Sequence, residues 1–141
     1  MASLLVKNAE AIVTCGTDDA VVKNGNILME NGEITYIGTE EKVADKEVDA
    51  TGCFVYPGLV NTHHHLYQTF SRNLPQVQNM ELFDWLVALY EIWKNLDSEV
   101  VYHSGIVGMG ELLKTGGTTC FDHHYVFPQG RAEGILDAQF A

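Results

Sequence analysis

Cysteine is scarce in this 141-residue chain: Cys15, Cys53 and Cys120 are odd in number, widely spaced and form no Cys-x-x-Cys pair. Neither a disulfide framework nor a zinc knuckle is indicated, and the three thiols are expected to act as small buried hydrophobes. Positive charge is also in short supply, with 8 Lys and Arg against 19 Asp and Glu and a formal net charge of −11. A phosphate backbone is held by clustered Lys and Arg; no such stripe exists here, which argues against nucleic acid as a partner. Ten of the acids fall in the first 50 residues, interleaved with Lys7, Lys23, Lys42 and Lys46, the pattern of a solvated surface. No apolar run approaches the roughly 18 residues of a membrane span. The opening MASLLVKNAE has no basic start followed by a long apolar core. A cytoplasmic setting without a membrane partner is the expectation. Internal repeats and low-complexity segments are absent as well.

What is present begins with short strands. Leu4 to Lys7, Ala11 to Cys15, Asn26 to Glu30, Glu33 to Ile37, Glu47 to Asp49 and Cys53 to Tyr56 each have strand character. Asn24-Gly25, Asn31-Gly32 and Thr51-Gly52 supply expected turns, and Asn31-Gly32 between two strand-like runs is a strong hairpin signal. Pro57-Gly58 breaks this pattern. Leu59 to His65 follows as a nearly continuous apolar strand of the kind buried on both faces in a parallel sheet. Residues 66 to 80 are polar, contain Pro75, and predict a long strand-to-helix loop. Leu82, Trp85, Leu86, Leu89, Trp93 and Leu96 recur at three- and four-residue steps and predict an amphipathic helix over 81–96.

Asp97 and Ser98 are good caps for a second helix running to Lys114, with Gly116 as its carboxy-terminal cap. Gly105, Gly108 and Gly110 weaken that helix by about 1 kcal/mol each relative to Ala, and close approach to a neighbouring strand is their expected use. Thr118 to His124 predicts another strand, and Gly134 to Ala141 a helix cut part way through.

The chemistry concentrates in Pro57 to Gln68, PGLVNTHHHLYQ. Alternate side chains of a strand share a face, so His63 and His65 project to one side and His64 to the other. Two imidazoles held by a strand make a metal clip, and neutral imidazole suits zinc or iron. Gln68, three residues on, carries an amide that both donates and accepts hydrogen bonds; a solvated loop glutamine is the competing reading. Trp85 is either a core residue at helical spacing or a flat wall for a heteroaromatic ring. His123 and His124 end the second strand and are either extra ligands or supports for the ligands. Cys120 stands alone, which excludes the zinc deaminases with a His-x-Glu and Pro-Cys-x-x-Cys pattern.

The run Pro57-Gly58-Leu59-Val60-Asn61-Thr62-His63-His64-His65 resembles the first barrel strand of the amidohydrolase superfamily. Leu66, Tyr67 and Gln68, with Glu81-Leu82-Phe83-Asp84-Trp85-Leu86, are similar to the branch holding guanine deaminase, 8-oxoguanine deaminase and the triazine hydrolases. The likeness runs from Leu4-Leu5-Val6 to Asp122-His123-His124-Tyr125. It implies an α/β protein: residues 1–56 as the amino-terminal part of a β-sandwich, and 57–141 as the first two strands of a TIM (β/α)8 barrel. A complete barrel takes roughly 250 residues, so the chain is expected to be an amino-terminal fragment.

The resemblance also implies the chemistry. His63 and His65 would ligate one divalent metal ion, zinc in preference to iron, completed by a histidine and an aspartate from later strands. Gln68 would contact a purine, with Trp85 as a second substrate-binding residue. The proton carriers would come from later strands, so no catalytic residue other than the ligands is expected here. A purine-type deaminase, working on a small heterocycle as a homodimer, is the implied function. Hydrolysis of a triazine or related heterocycle is the alternative, and a truncated non-catalytic module is the alternative of another class.

Overall fold

The computed structural model describes residues 2–128 together with Gly134, Ile135 and Asp137. The chain has a mixed α/β fold and divides into two compact units, Met1–Pro57 and Gly58–Ala141. The three described residues of the closing segment are helical, and the rest of the helix expected there lies outside the described residues.

The first unit is one five-stranded sheet built around its first strand. β1 (Ser3–Val13) pairs antiparallel with β2 (Val21–Glu30), which pairs antiparallel with β3 (Glu33–Gly38). On its other edge β1 takes two parallel partners in succession, β4 (Lys46–Asp49) along Leu4 to Lys7 and β5 (Phe54–Val55) along Ala11 and Ile12. Ala9, Ile12, Ile27 and Ala50 are buried together, with Val6, Val22, Met29 and Val55 packed against them. Asn31-Gly32 makes the expected β2–β3 turn, with φ of +55° and +87°, the two left-handed positions of a type I′ hairpin.

Two expectations for this unit need correction. The runs Leu4 to Lys7 and Ala11 to Cys15 belong to a single strand, and Asn24-Gly25 lies inside β2, with Gly25 opposite Ala9. A bulge accounts for both. The β1–β2 register shifts between Val6 and Ala9, with Asn8 at φ +61° and Asn24 at φ +49°; an Asn-Gly pair serves a bulge as readily as a turn, since both need left-handed backbone. Asn26, buried beside the bulge, accepts from the Asn8 N–H at 3.0 Å and donates to the Glu40 carbonyl at 2.9 Å. Its burial is thereby satisfied on both sides.

The second unit is a parallel pair of strands joined through two helices. β6 (Leu59–His64) leads into a 3₁₀ helix over Leu66–Ser71 and a shorter one over Pro75–Val77, in place of the long loop expected there. α1 (Leu82–Trp93) and α2 (Ser98–Lys114) then carry the chain back to β7 (Gly117–Asp122), parallel to β6. Parallel neighbours cannot be joined by a hairpin and need a crossover of this length. Asp97 caps α2 by accepting the Val100 N–H at 2.9 Å, and Gly116 ends it at φ +89°. Leu89, Trp93, Leu96, Val101, Tyr67 and Val77 form the buried cluster between the helices and the 3₁₀ segments.

β6 is more open than its apolar sequence predicts: Leu59 and Val60 are 62% and 63% exposed. Among the described residues the sheet of this unit has two strands, which leaves these side chains uncovered in this chain. The cysteines also depart from expectation. Cys15 and Cys53 are exposed and Cys120 is half-buried, and all three are free thiols. The first two sit in connections between strands, which run over the surface. Burial, then the Asp122 charge, pushes the Cys120 thiol up.

Among the described residues, Gly108 alone of the three α2 glycines meets a close neighbour. A Cβ there would lie 2.7 Å from Leu66 Cδ2 and 2.9 Å from Thr69 Oγ1. The close approach is to the 3₁₀ helix after β6, not to a strand.

Candidate metal centre

The end of β6 is where the histidines lie. His63 and His65 bring their Nε2 atoms within 3.1 Å of each other, their rings edge to face at 77°. The His64 ring turns toward α2, its Cε1 3.8 Å from the place of a Cβ on Gly108. Its Nδ1 is buried without a hydrogen-bond partner among the described residues. The period-two alternation of a strand accounts for this split.

Each outer histidine is held separately. Asn61 Oδ1 accepts the His63 backbone N–H at 3.0 Å, and the His63 ring lies against that of His123 at 4.6 Å. His65 Nδ1 is 2.8 Å from the His123 carbonyl oxygen. A carbonyl can only accept, so Nδ1 carries a proton, and in the neutral imidazole this leaves the Nε2 lone pair on the side of His63. That is the tautomer a metal ligand needs, fixed by its partner on the other ring nitrogen. The chemistry of the two donors therefore fits a divalent ion that accepts imidazole. Among the described residues no group of three or more His, Cys, Asp or Glu is assembled for such an ion.

His123 and His124 diverge. The His123 N–H donates to the His64 carbonyl at 2.8 Å, carrying the β6–β7 pairing one step past the strand, and its Nε2 is 3.2 Å from the Thr62 carbonyl. His124 turns into the apolar cluster instead, 4.8 Å from the Tyr67 ring and 5.0 Å from Phe127.

A cleft of about 260 Å³ opens beside the histidines, lined by His63, His64, His65, Gln68, Thr69 and Arg72. Gln68 is half-buried, and its Nε2 donates to the Tyr67 hydroxyl at 3.0 Å. The amide nitrogen keeps a second N–H, and Oε1 is the acceptor of this side chain. Tyr67 is 2% exposed; burial first, and its hydrogen bond with Tyr125 second, push its phenol well above the usual tyrosine range. Tyr67 is thus a neutral hydroxyl. Arg72 is engaged by Glu111 of α2 through contacts of 2.5 and 2.6 Å, and the guanidinium holds the Glu111 carboxyl below its ordinary value. Trp85 packs edge-on against Trp93, ring centres 5.7 Å apart, and does not line this cleft.

The contact of the His123 carbonyl with the His65 ring is the one that sequence reasoning missed. A main-chain oxygen has no residue type to betray it; the only signal was the position of His123 at the end of the partner strand.

Residues 54–139 match the amidohydrolase family, more than half of the chain, and the chain belongs to that family. It is 40% identical to the 8-oxoguanine deaminase of Pseudomonas aeruginosa over 139 residues, which is 96% of this chain and 30% of the relative. It is 32% identical to the hydroxydechloroatrazine ethylaminohydrolase of Pseudomonas sp. strain ADP, over 99% of this chain and 32% of that protein. The atrazine chlorohydrolase of Arthrobacter aurescens TC1, solved in complex with zinc, shares the fold with a TM-score of 0.91. That match is 23% identical and covers 97% of this chain and 32% of the other. The chain thus spans about a third of the length of the relatives it matches. Among the described residues no helix is long and apolar enough to cross a membrane.

Proposed function

We propose that the whole protein to which this chain belongs is a metal-dependent deaminase of a purine-like ring, of the 8-oxoguanine or guanine type. The observation that carries the reading is the 3.1 Å convergence of His63 Nε2 and His65 Nε2, with the His65 proton committed to the far side of its ring. These two histidines are the ligands this chain contributes to one divalent ion, zinc in preference to iron. The zinc complex of the chlorohydrolase with the same fold supports that choice. When bound, the ion supplies Lewis acidity that brings the pKa of water toward 7, giving a nucleophile at neutral pH.

The chain's own residues then orient the substrate. Gln68 lines the cleft with the histidines and offers its amide oxygen as an acceptor for a ring N–H, while its amide nitrogen donates to the Tyr67 hydroxyl. In the reaction a water oxygen bonds to the ring carbon bearing the exocyclic amine, and the carbon–nitrogen bond breaks as ammonia leaves. The proton carriers belong to later strands. Residues 57–141 form the first portion of a (β/α)8 barrel in this reading, with β6 and β7 as its first two strands, and 1–56 the amino-terminal part of a β-sandwich. The whole protein is read as a cytoplasmic homodimer.

A second reading is hydrolysis of a triazine, favoured by the likeness to the ethylaminohydrolase. Turnover of 8-oxoguanine, guanine and a chlorotriazine by the whole protein, before and after chelation, tests both. Release of ammonia from a purine, lost on chelation and restored by zinc, is the expected result. Turnover of the triazine alone would favour the second reading, and activity indifferent to chelation would remove both.

A further inference from the structure

Asp122 stands at the last position of β7, opposite His64 in the β6–β7 register. Its carboxylate reaches across the strands, and Oδ1 accepts the Leu66 N–H at 2.8 Å. Leu66 is the residue after His65, where the chain leaves the strand: His65 has φ −136° and ψ 81°, and the 3₁₀ helix starts at Leu66. The first N–H groups of a helix have no partner within it, and Leu66 is 4% exposed, so water is a poor substitute.

The carbonyl side of the same residue is held too. Ser104 Oγ donates to the Leu66 oxygen at 2.6 Å and Thr69 Oγ1 at 2.8 Å, with Ser104 fully buried. The residue after Asp122, His123, supplies the carbonyl that accepts a hydrogen bond from His65 Nδ1. One strand end therefore grips both the His65 ring and the backbone directly after it.

We propose that Asp122 is a positioning residue for the metal ligand His65, acting through the Leu66 N–H and not as a ligand itself. The inference rests on the reading of His63 and His65 as ligands. The end of β7 acts as a jig: the Asp122 carboxylate sets where the chain turns out of β6, and the His123 carbonyl sets the rotation of the ring. Removing the carboxylate frees the turn, and the His65 Nε2 loses its fixed distance to His63 Nε2.

The test measures zinc affinity of the whole protein by competition with a chromophoric chelator, alongside the visible spectrum of the cobalt-substituted form. Asp122→Ala is expected to weaken zinc binding about 10- to 100-fold, the range for loss of a group supporting a ligand, and to alter the cobalt bands. Asp122→Asn keeps an acceptor oxygen and is expected to bind zinc like the parent. His63→Ala is the reference for loss of a ligand. Parent-like affinity and cobalt bands in Asp122→Ala, with zinc lost in His63→Ala, would overturn the proposal alone. Parent-like affinity in His63→Ala would overturn the ligand reading beneath it. If Asp122→Ala does not fold, Asp122→Asn still decides, because zinc binding clearly weaker than the parent's in that variant would show that the carboxylate is needed for something other than the Leu66 contact.

Discussion

Trp93 donates its indole N–H to the Ser71 hydroxyl at 3.0 Å, joining α1 to the end of the 3₁₀ helix that follows the histidines. Trp93 is 1% exposed, so no water replaces this partner. Ser71 in turn donates to the Gln68 carbonyl at 3.0 Å. Ser71→Ala is expected to destabilise the whole protein by about 1–3 kcal/mol, the cost of a buried donor left unpaired. A urea titration followed by tryptophan fluorescence reads it; an unchanged midpoint would show that the indole finds another acceptor.

Gln68 and His63 are expected to separate cleanly. Gln68→Ala should lower kcat/KM for the purine roughly tenfold, the equivalent of about 1.4 kcal/mol for a lost hydrogen bond in the transition state. Its zinc content should match the parent. His63→Ala should empty the site, and His64→Ala should not, because the His64 ring faces α2. Metal analysis of the three purified variants checks the set. Zinc loss in Gln68→Ala comparable to that in His63→Ala would make Gln68 a support of the site and not a substrate contact.

Gly108→Ala tests the packing of α2 against the turn after the histidines. Ala is the better helix former by about 1 kcal/mol, yet its Cβ would press on Leu66 Cδ2 at 2.7 Å and Thr69 Oγ1 at 2.9 Å. Overpacking of this kind costs about 1–3 kcal/mol, so a net loss of stability is expected. Gly110→Ala is the control, with none of the described residues within 4 Å of its Cβ, and should be neutral or stabilising. Equal melting temperatures for the two variants would remove the argument.

The 141 residues by themselves are expected to show no deaminase turnover. Their described part gathers fewer than three potential ligands at any one place, and two imidazoles bind an ion loosely. Ammonia release from 8-oxoguanine above that of zinc in buffer would contradict this.

Features written in local chemistry are legible in the sequence itself. The Asn31-Gly32 turn, the Asp97 cap and the apolar spacing of α1 each depend on residues within a few positions of one another. The convergence of His63 and His65 follows from a two-residue spacing in the same way. Other features depended on partners far along the chain. Asn24-Gly25 has the chemistry of a turn, and only the pairing of Gly25 with Ala9 makes it a bulge. Leu59 and Val60 have the hydrophobicity of a buried strand, while their exposure follows from how many strands lie beside them. The grip on His65 uses a backbone oxygen and a carboxylate 58 and 57 residues away, and neither has a local signature.

β1 draws the partners of its two edges from very different distances along the chain. Its β2 partner follows after a short connection, but β4 meets it with Leu4 opposite Lys46, and β5 with Ala11 opposite Phe54. During synthesis the hairpins of β1, β2 and β3 can close early, while one flank of β1 waits with its N–H and C=O groups bare. Such a flank invites pairing with any other extended chain. The interval before Phe54 arrives is therefore when this unit is most open to misassembly, and speeding or protecting that closure would raise its folding yield without touching the histidines.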